Sequence, residues 1–127
     1  MIVVDASAAV SALLSDGDAR RMLSESRLAA PHLVDAEVVQ TLRKLLIRGS
    51  LTTREAERAV QRWSRLGVER FPLVGLVARM WALRENVSAY DAANVALAEA
   101  LDCPLLTADA RLAAAPGTSC PITVVPS

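Results

Sequence analysis

A chain of 127 residues and 13.5 kDa holds one domain, expected to run over residues 1–127, and a domain of that size folds without disulfides or a structural metal. Apolar residues at 53% and charged residues at 22% exclude intrinsic disorder, and fourteen basic against fourteen acidic residues exclude a polycation that grips nucleic acid by bulk charge. No apolar run reaches the roughly 18 residues that span a bilayer, and Met1-Ile2-Val3-Val4-Asp5 lacks the basic flank of a signal peptide, so a cytoplasmic protein without membrane attachment is expected.

The β-branched triplet Ile2-Val3-Val4 predicts a first strand, closed by Asp5 and followed by a helix over residues 7–14. A second helix is predicted over 18–26 and a short strand over 28–30, ending at Pro31. Val34, Val38, Leu42 and Leu45 recur at helical spacing and predict a long helix over 33–47, stopped by Gly49. Thr52-Thr53-Arg54-Glu55 is a capping box opening a helix that runs to about residue 66. A strand over 68–73, helices over 75–85 and 89–101, a strand at 105–106, a short helix over 111–115 and a last strand over 122–125 complete the chain. Aromatics are only 3%, so the core must be aliphatic, with Trp63 and Trp81 both expected inside it. Cys103 and Cys120 lack CxxC spacing and a neighbouring His, so they read as bystander thiols and not as zinc ligands. The single histidine, His32, follows Pro31 at a helix entry and reads as a capping or surface residue.

Strands separated by helices predict an α/β fold with a parallel sheet covered on both faces. In such sheets, function collects at the carboxyl ends of the strands, near the point where strand order reverses. Asp5 and Asp109 each follow a strand, Asp91 lies in the first turn of a helix, and Glu37 lies one turn into the long helix. Each has a plain structural explanation: Asp5 and Asp109 as N-caps, Asp91 as the acidic member of a capping box with Ser88, Glu37 as a partner of Thr41 or Lys44. Taken together they suggest more. Four converging carboxylates would repel one another and require a cation, and donors that are all oxygen select a hard ion such as Mg²⁺ or Mn²⁺. Such an ion is suited to hydrolysing a phosphodiester.

Four segments appear in an order that spans nearly the whole chain: residues 1–7 (MIVVDAS), 31–38 (PHLVDAEV), 90–98 (YDAANVALA) and 105–112 (LLTADARL). With these segments the chain resembles the PIN-domain ribonucleases of the VapC type, toxins of bacterial toxin–antitoxin pairs. The resemblance implies a three-layer α/β/α fold with a central five-stranded parallel sheet and Mg²⁺-dependent endoribonuclease activity, with Mn²⁺ as a substitute. It also implies a homodimer and neutralisation by a VapB-type antitoxin. Asp5, Glu37, Asp91 and Asp109 match the family's acidic quartet, with Asp5 and Asp91 as the chief metal ligands, and Thr107 matches a hydroxyl that orients a carboxylate or water. Gln40 stands where many relatives have Asn, which alters a small polar contact near the site.

Lys44 and Arg48 continue the side of the helix that carries Glu37; they read first as solubilising surface charge and, as the alternative, as contacts that lead RNA phosphates toward the carboxylates. A phospho-accepting receiver domain is excluded, because no Asp follows the strand over 68–73 and no Lys follows Lys44. A haloacid-dehalogenase-like phosphatase is excluded by Ser7, where that chemistry needs a second Asp. The alternative that survives is a PIN-like module that binds protein without catalysis.

Overall fold

A computed structural model describes residues 1–126; Ser127, the last residue of the expected domain, lies outside the described residues. Five strands, β1 (Ile2–Val4), β2 (Leu28–Pro31), β3 (Val68–Phe71), β4 (Leu105–Thr107) and β5 (Ile122–Val124), form one all-parallel sheet in the order β3-β2-β1-β4-β5. The chain starts in the middle of the sheet, works outward to β3, then returns to the other side of β1 for β4 and β5. Strand order therefore reverses between β1 and its neighbours, which opens a crevice at the carboxyl ends of β1 and β4.

Seven helices cover the sheet: α1 (Ala6–Leu14), α2 (Asp18–Ser24), α3 (Val34–Ile47), α4 (Thr53–Arg65), α5 (Val77–Ala82), α6 (Ala89–Ala100) and α7 (Ala110–Ala113). Strand alternation divides the core in two. Val4, Ala30 and Leu106 point toward a layer built from α1, α3 and α4, whereas Val3, Ala29 and Leu105 point toward α6. The three-layer α/β/α architecture expected from the sequence is thus the one observed. Small side chains make it compact: Ala8, Ala9 and Ala12 on α1, and Ala92, Ala93, Ala96 and Ala98 on α6, are all buried and let both helices lie close to the strands.

Helix α2 ends at Ser24, two residues before the predicted boundary. The helix predicted over 75–85 is more broken: a 3₁₀ turn over Val74–Leu76 leads into α5, and the chain leaves it at Leu83, whose N–H is shared between the carbonyls of Arg79 and Met80. This short helix buries Leu83 and packs Leu76 and Met80 against the core, which turns Trp81 outward, 67% exposed, with the Arg84 guanidinium 4.8 Å from its ring centre. The expectation that Trp81 sits in the core is corrected accordingly.

Trp63 is buried as expected. Its indole N–H donates to Asp35 Oδ1 at 2.8 Å, and Arg70 grips both oxygens of the same carboxylate at 2.7 Å while lying over the Trp63 ring. These three side chains tie α3, α4 and β3 together. Hydrogen bonding from Arg70 holds the Asp35 carboxyl below its ordinary range, so its contribution to stability is present above the unfolded pKa and is lost on acidification. Asp35 is about half exposed, so Asp35→Asn should cost only about 1 kcal/mol at pH 7. In urea titrations the difference from wild type should begin to shrink as pH falls below about 4 and vanish only once pH passes below the depressed folded pKa.

Candidate active site

Asp5 leaves the carboxyl end of β1 and caps α1: its Oδ1 accepts the Ala8 N–H at 2.9 Å and the Ser7 hydroxyl at 2.6 Å. Its Oδ2 accepts the Thr107 hydroxyl, which comes from the end of the adjacent strand β4. Ser7 Oγ in turn accepts the Ala108 N–H at 2.9 Å, and Thr107 Oγ1 accepts the Asp109 N–H at 3.1 Å. The first turn of α1 and the end of β4 are thereby joined around one carboxylate, which is 6% exposed. Burial pushes the Asp5 carboxyl above its ordinary range; the donors from Ser7, Thr107 and Ala8 oppose this in part, and the charge of Asp109 adds to it.

The other three acids come from different elements, and their charges reach Asp5 or one another. Asp91 lies in the first turn of α6, where the Ser88 hydroxyl caps its N–H at 3.2 Å. Half-buried, it is pushed up by burial first and then by the charges of Asp5 and Asp109, against lowering by Ser88 and Arg111. Glu37, in the first turn of α3, is pushed up by burial and then by the charges of Asp5 and Asp91. Asp109 caps α7, its Oδ1 accepting the Arg111 N–H at 2.9 Å. Glu37 therefore feels Asp5 and Asp91, Asp91 feels Asp5 and Asp109, and Asp5 feels Asp109, so the four charges form one electrostatic group.

The plain explanations hold in part. Asp5 and Asp109 are N-caps as well as members of the group, so capping and clustering coexist. Glu37 does not pair as expected: the Thr41 hydroxyl donates to the Glu37 main-chain carbonyl at 2.9 Å, and among the described residues no ion pair joins Glu37 to Lys44. Gln40 and Lys44 on α3, and Arg48 just past its end, are exposed. Sequence reasoning missed Ser7 as a member of the site, although its place two residues after a strand-ending Asp was the available signal.

The family model of the PIN domain matches residues 2–117, all but the ends of the chain. The chain belongs to the PIN-domain family. This PIN domain is 56% identical over 126 residues to "Ribonuclease VapC9" of Mycobacterium tuberculosis, covering 99% of each chain. Among solved structures it is similar to PAE2754 from Pyrobaculum aerophilum, with a TM-score of 0.72 and 25% identity over 95% of this chain and 81% of that one. It also shares its fold with a toxin–antitoxin complex from Klebsiella pneumoniae, with a TM-score of 0.66 and 18% identity over 90% of this chain and 91% of that one.

As placed, among the described residues no three acidic, His or Cys side chains stand close enough to enclose an ion by themselves. Asp5, Glu37, Asp91 and Asp109 offer only oxygen atoms, and each of Asp5, Glu37 and Asp91 is pushed up by its neighbours' charge or its burial. Those are the properties of carboxylates that gain from a cation.

Proposed function

We propose that this chain is a divalent-metal-dependent endoribonuclease, a toxin of the VapC type that hydrolyses RNA phosphodiester bonds in the cytoplasm and is neutralised by a VapB-type antitoxin. The observation that carries the reading is the group of four mutually repelling carboxylates at the strand-order reversal of a PIN fold. Its identity to a protein named as a ribonuclease over nearly the full length of both supports the substrate class.

Asp5 and Asp91 would hold Mg²⁺, or Mn²⁺ in its place, with Asp109 and Glu37 contributing directly or through water. When bound, the ion supplies charge neutralisation of the phosphate and lowers the pKa of water. The chain's own residues do the rest. Ser7, Thr107 and the Ala8 N–H fix the Asp5 carboxylate in one orientation, so the site spends nothing on reorganisation during reaction. Glu37, half-buried and pushed up, is suited to accept the proton of the attacking water. Lys44 and Arg48 extend from the same helix as Glu37 and are free to meet the RNA backbone.

The antitoxin reading is supported by two apolar grooves, about 410 Å³ between α3 and α4 (Val39, Leu42, Leu46, Val60) and about 180 Å³ beneath α1, α2 and α4 (Ala12, Leu13, Leu23, Leu66). A homodimer, to be read by sedimentation, belongs to the same proposal. The test of function is to induce the chain in cells and map RNA ends beside its Asp91→Asn variant. Discrete new ends are expected only with the wild type; the same ends with both, or none with either, would contradict the reading. Lys44→Ala with Arg48→Ala should reduce the salt dependence of RNA binding by about two charges' worth.

A further inference from the structure

The amino ends of β4 and β5 carry the chain's two cysteines. Leu105 pairs with Ile122, Leu106 with Thr123 and Thr107 with Val124. Cys103 and Cys120 each stand two residues before the paired Leu105 and Ile122, just outside the ladder, where the Leu105 N–H donates to the Pro121 carbonyl at 2.9 Å and holds the two approaches together. Packing agrees. Cys103 is buried in the core layer that holds Leu105, Cys120 is half-buried against the same layer beside Ile122, and the two line one cavity of about 150 Å³ with Glu99, Asp102 and Ser119.

The turn that presents Cys120 is braced. Arg79 grips Glu99 at 2.7 and 3.0 Å and donates to the Gly117 carbonyl at 2.7 Å, while the Ser119 N–H donates to Glu99 Oε2 at 2.7 Å. Gly117 adopts a φ of +85°, and a Cβ there would meet the Asn86 amide at 2.8 Å, so glycine is required for this course of the chain. Both thiols are free.

We propose that Cys103 and Cys120 are a modification site, joined as an intramolecular disulfide by a peroxide oxidant. The more accessible Cys120 thiolate attacks one peroxide oxygen; the O–O bond breaks, leaving a sulfenic acid and a hydroxide that takes the thiol proton as water. The Cys103 thiolate then attacks the Cys120 sulfur, the S–O bond breaks, and the second hydroxide leaves as water with the second thiol proton. Two thiols thus give two electrons and two protons to one hydrogen peroxide, forming one disulfide and two waters. Burial pushes both thiols up, which makes the step slow at neutral pH and faster in mild alkali. The bond would fasten β5, a three-residue edge strand, to β4, whose far end carries Thr107 and leads into Asp109.

The test uses the purified full chain treated with hydrogen peroxide, and its outcome is independent of ribonuclease activity. Expected are an intact mass lower by two hydrogens and reversed by dithiothreitol, a linked Cys103–Cys120 peptide in a non-reducing map, and a Tm higher by about 5 °C or more. Cys120→Ser, changed at the half-exposed position, should fold and show none of these. Sulfinic acid at Cys120 with Cys103 left reduced, dimers linked between chains, or two unreacted thiols would each overturn the proposal.

Discussion

Asp5→Asn is expected to lower RNA cleavage by at least about a thousandfold while leaving the chain folded, and at pH 7 without metal the variant should be as stable as wild type or more so. The geometry explains both halves. An Asn oxygen still accepts from Ala8 N–H and the Ser7 hydroxyl, so the cap of α1 survives. The amide nitrogen faces Thr107 Oγ1, which accepts one N–H from Asp109 and has a lone pair to spare.

What disappears is a charge that the fold holds at a cost. Burial raises the Asp5 carboxyl above its unfolded value, so the folded state binds more protons than the unfolded state in the window between the two. Wild-type stability from this group is therefore greatest below about pH 4 and declines as pH rises through the folded pKa. The variant lacks that decline. Thermal melts of metal-free protein at pH 4 and pH 7, beside cleavage of a fluorogenic RNA, measure both effects. A variant that cleaves normally, or one that melts far below wild type at pH 7, would show that Asp5 is a structural cap and nothing else.

Asp5 was legible from sequence because its signal is local: three β-branched residues, then an acid. The same holds for Asp109 after β4 and for Asp91 three residues after its cap Ser88. Their mutual closeness was legible only through the rule that parallel strands end on one edge, since nothing local to Asp91 says that α6 begins beside β1. Where the fold depends on contacts distant in the chain, sequence reading failed. Asp35 gave no sequence signal of its own, because its partner is Arg70, thirty-five residues on. Trp81 reads as core because it is large and apolar, but α5 spans only Val77–Ala82, and its neighbours Leu76, Met80 and Leu83 fill the inward space. Helical periodicity over 75–85 does not register that the first turn is 3₁₀ and the last unwinds. Ser7 was overlooked because a serine at a helix start is common, and its second bond goes to a main-chain N–H a hundred residues away.

EDTA should abolish RNA cleavage, and Mg²⁺ or Mn²⁺ added back at pH 7 should restore it and raise the Tm. An ion bound only by the folded state stabilises it by about 2.7 kcal/mol when present at a hundredfold its Kd. Part of that gain is relief of the repulsion among Asp5, Glu37 and Asp91, each of which is pushed up by burial and by a neighbouring charge in the metal-free protein. Protons compete for the same oxygens. Because these three carboxyls lie above their ordinary values, acidification should weaken the ion's effect at a pH higher than unperturbed carboxylates would require, and the ion-induced rise in Tm should shrink before the Asp35–Arg70 pair is touched, since that carboxyl is held low. Asp91→Asn removes one proposed donor and one source of repulsion together, so its metal-free Tm should rise at pH 7 and its response to Mg²⁺ should be lost. Melting curves with and without the ion, from pH 7.5 down to 4.5, separate these effects. A Tm indifferent to both ions, or an ion-induced shift that survives Asp91→Asn unchanged, would remove the metal from this crevice and with it the hydrolytic role of the four acids.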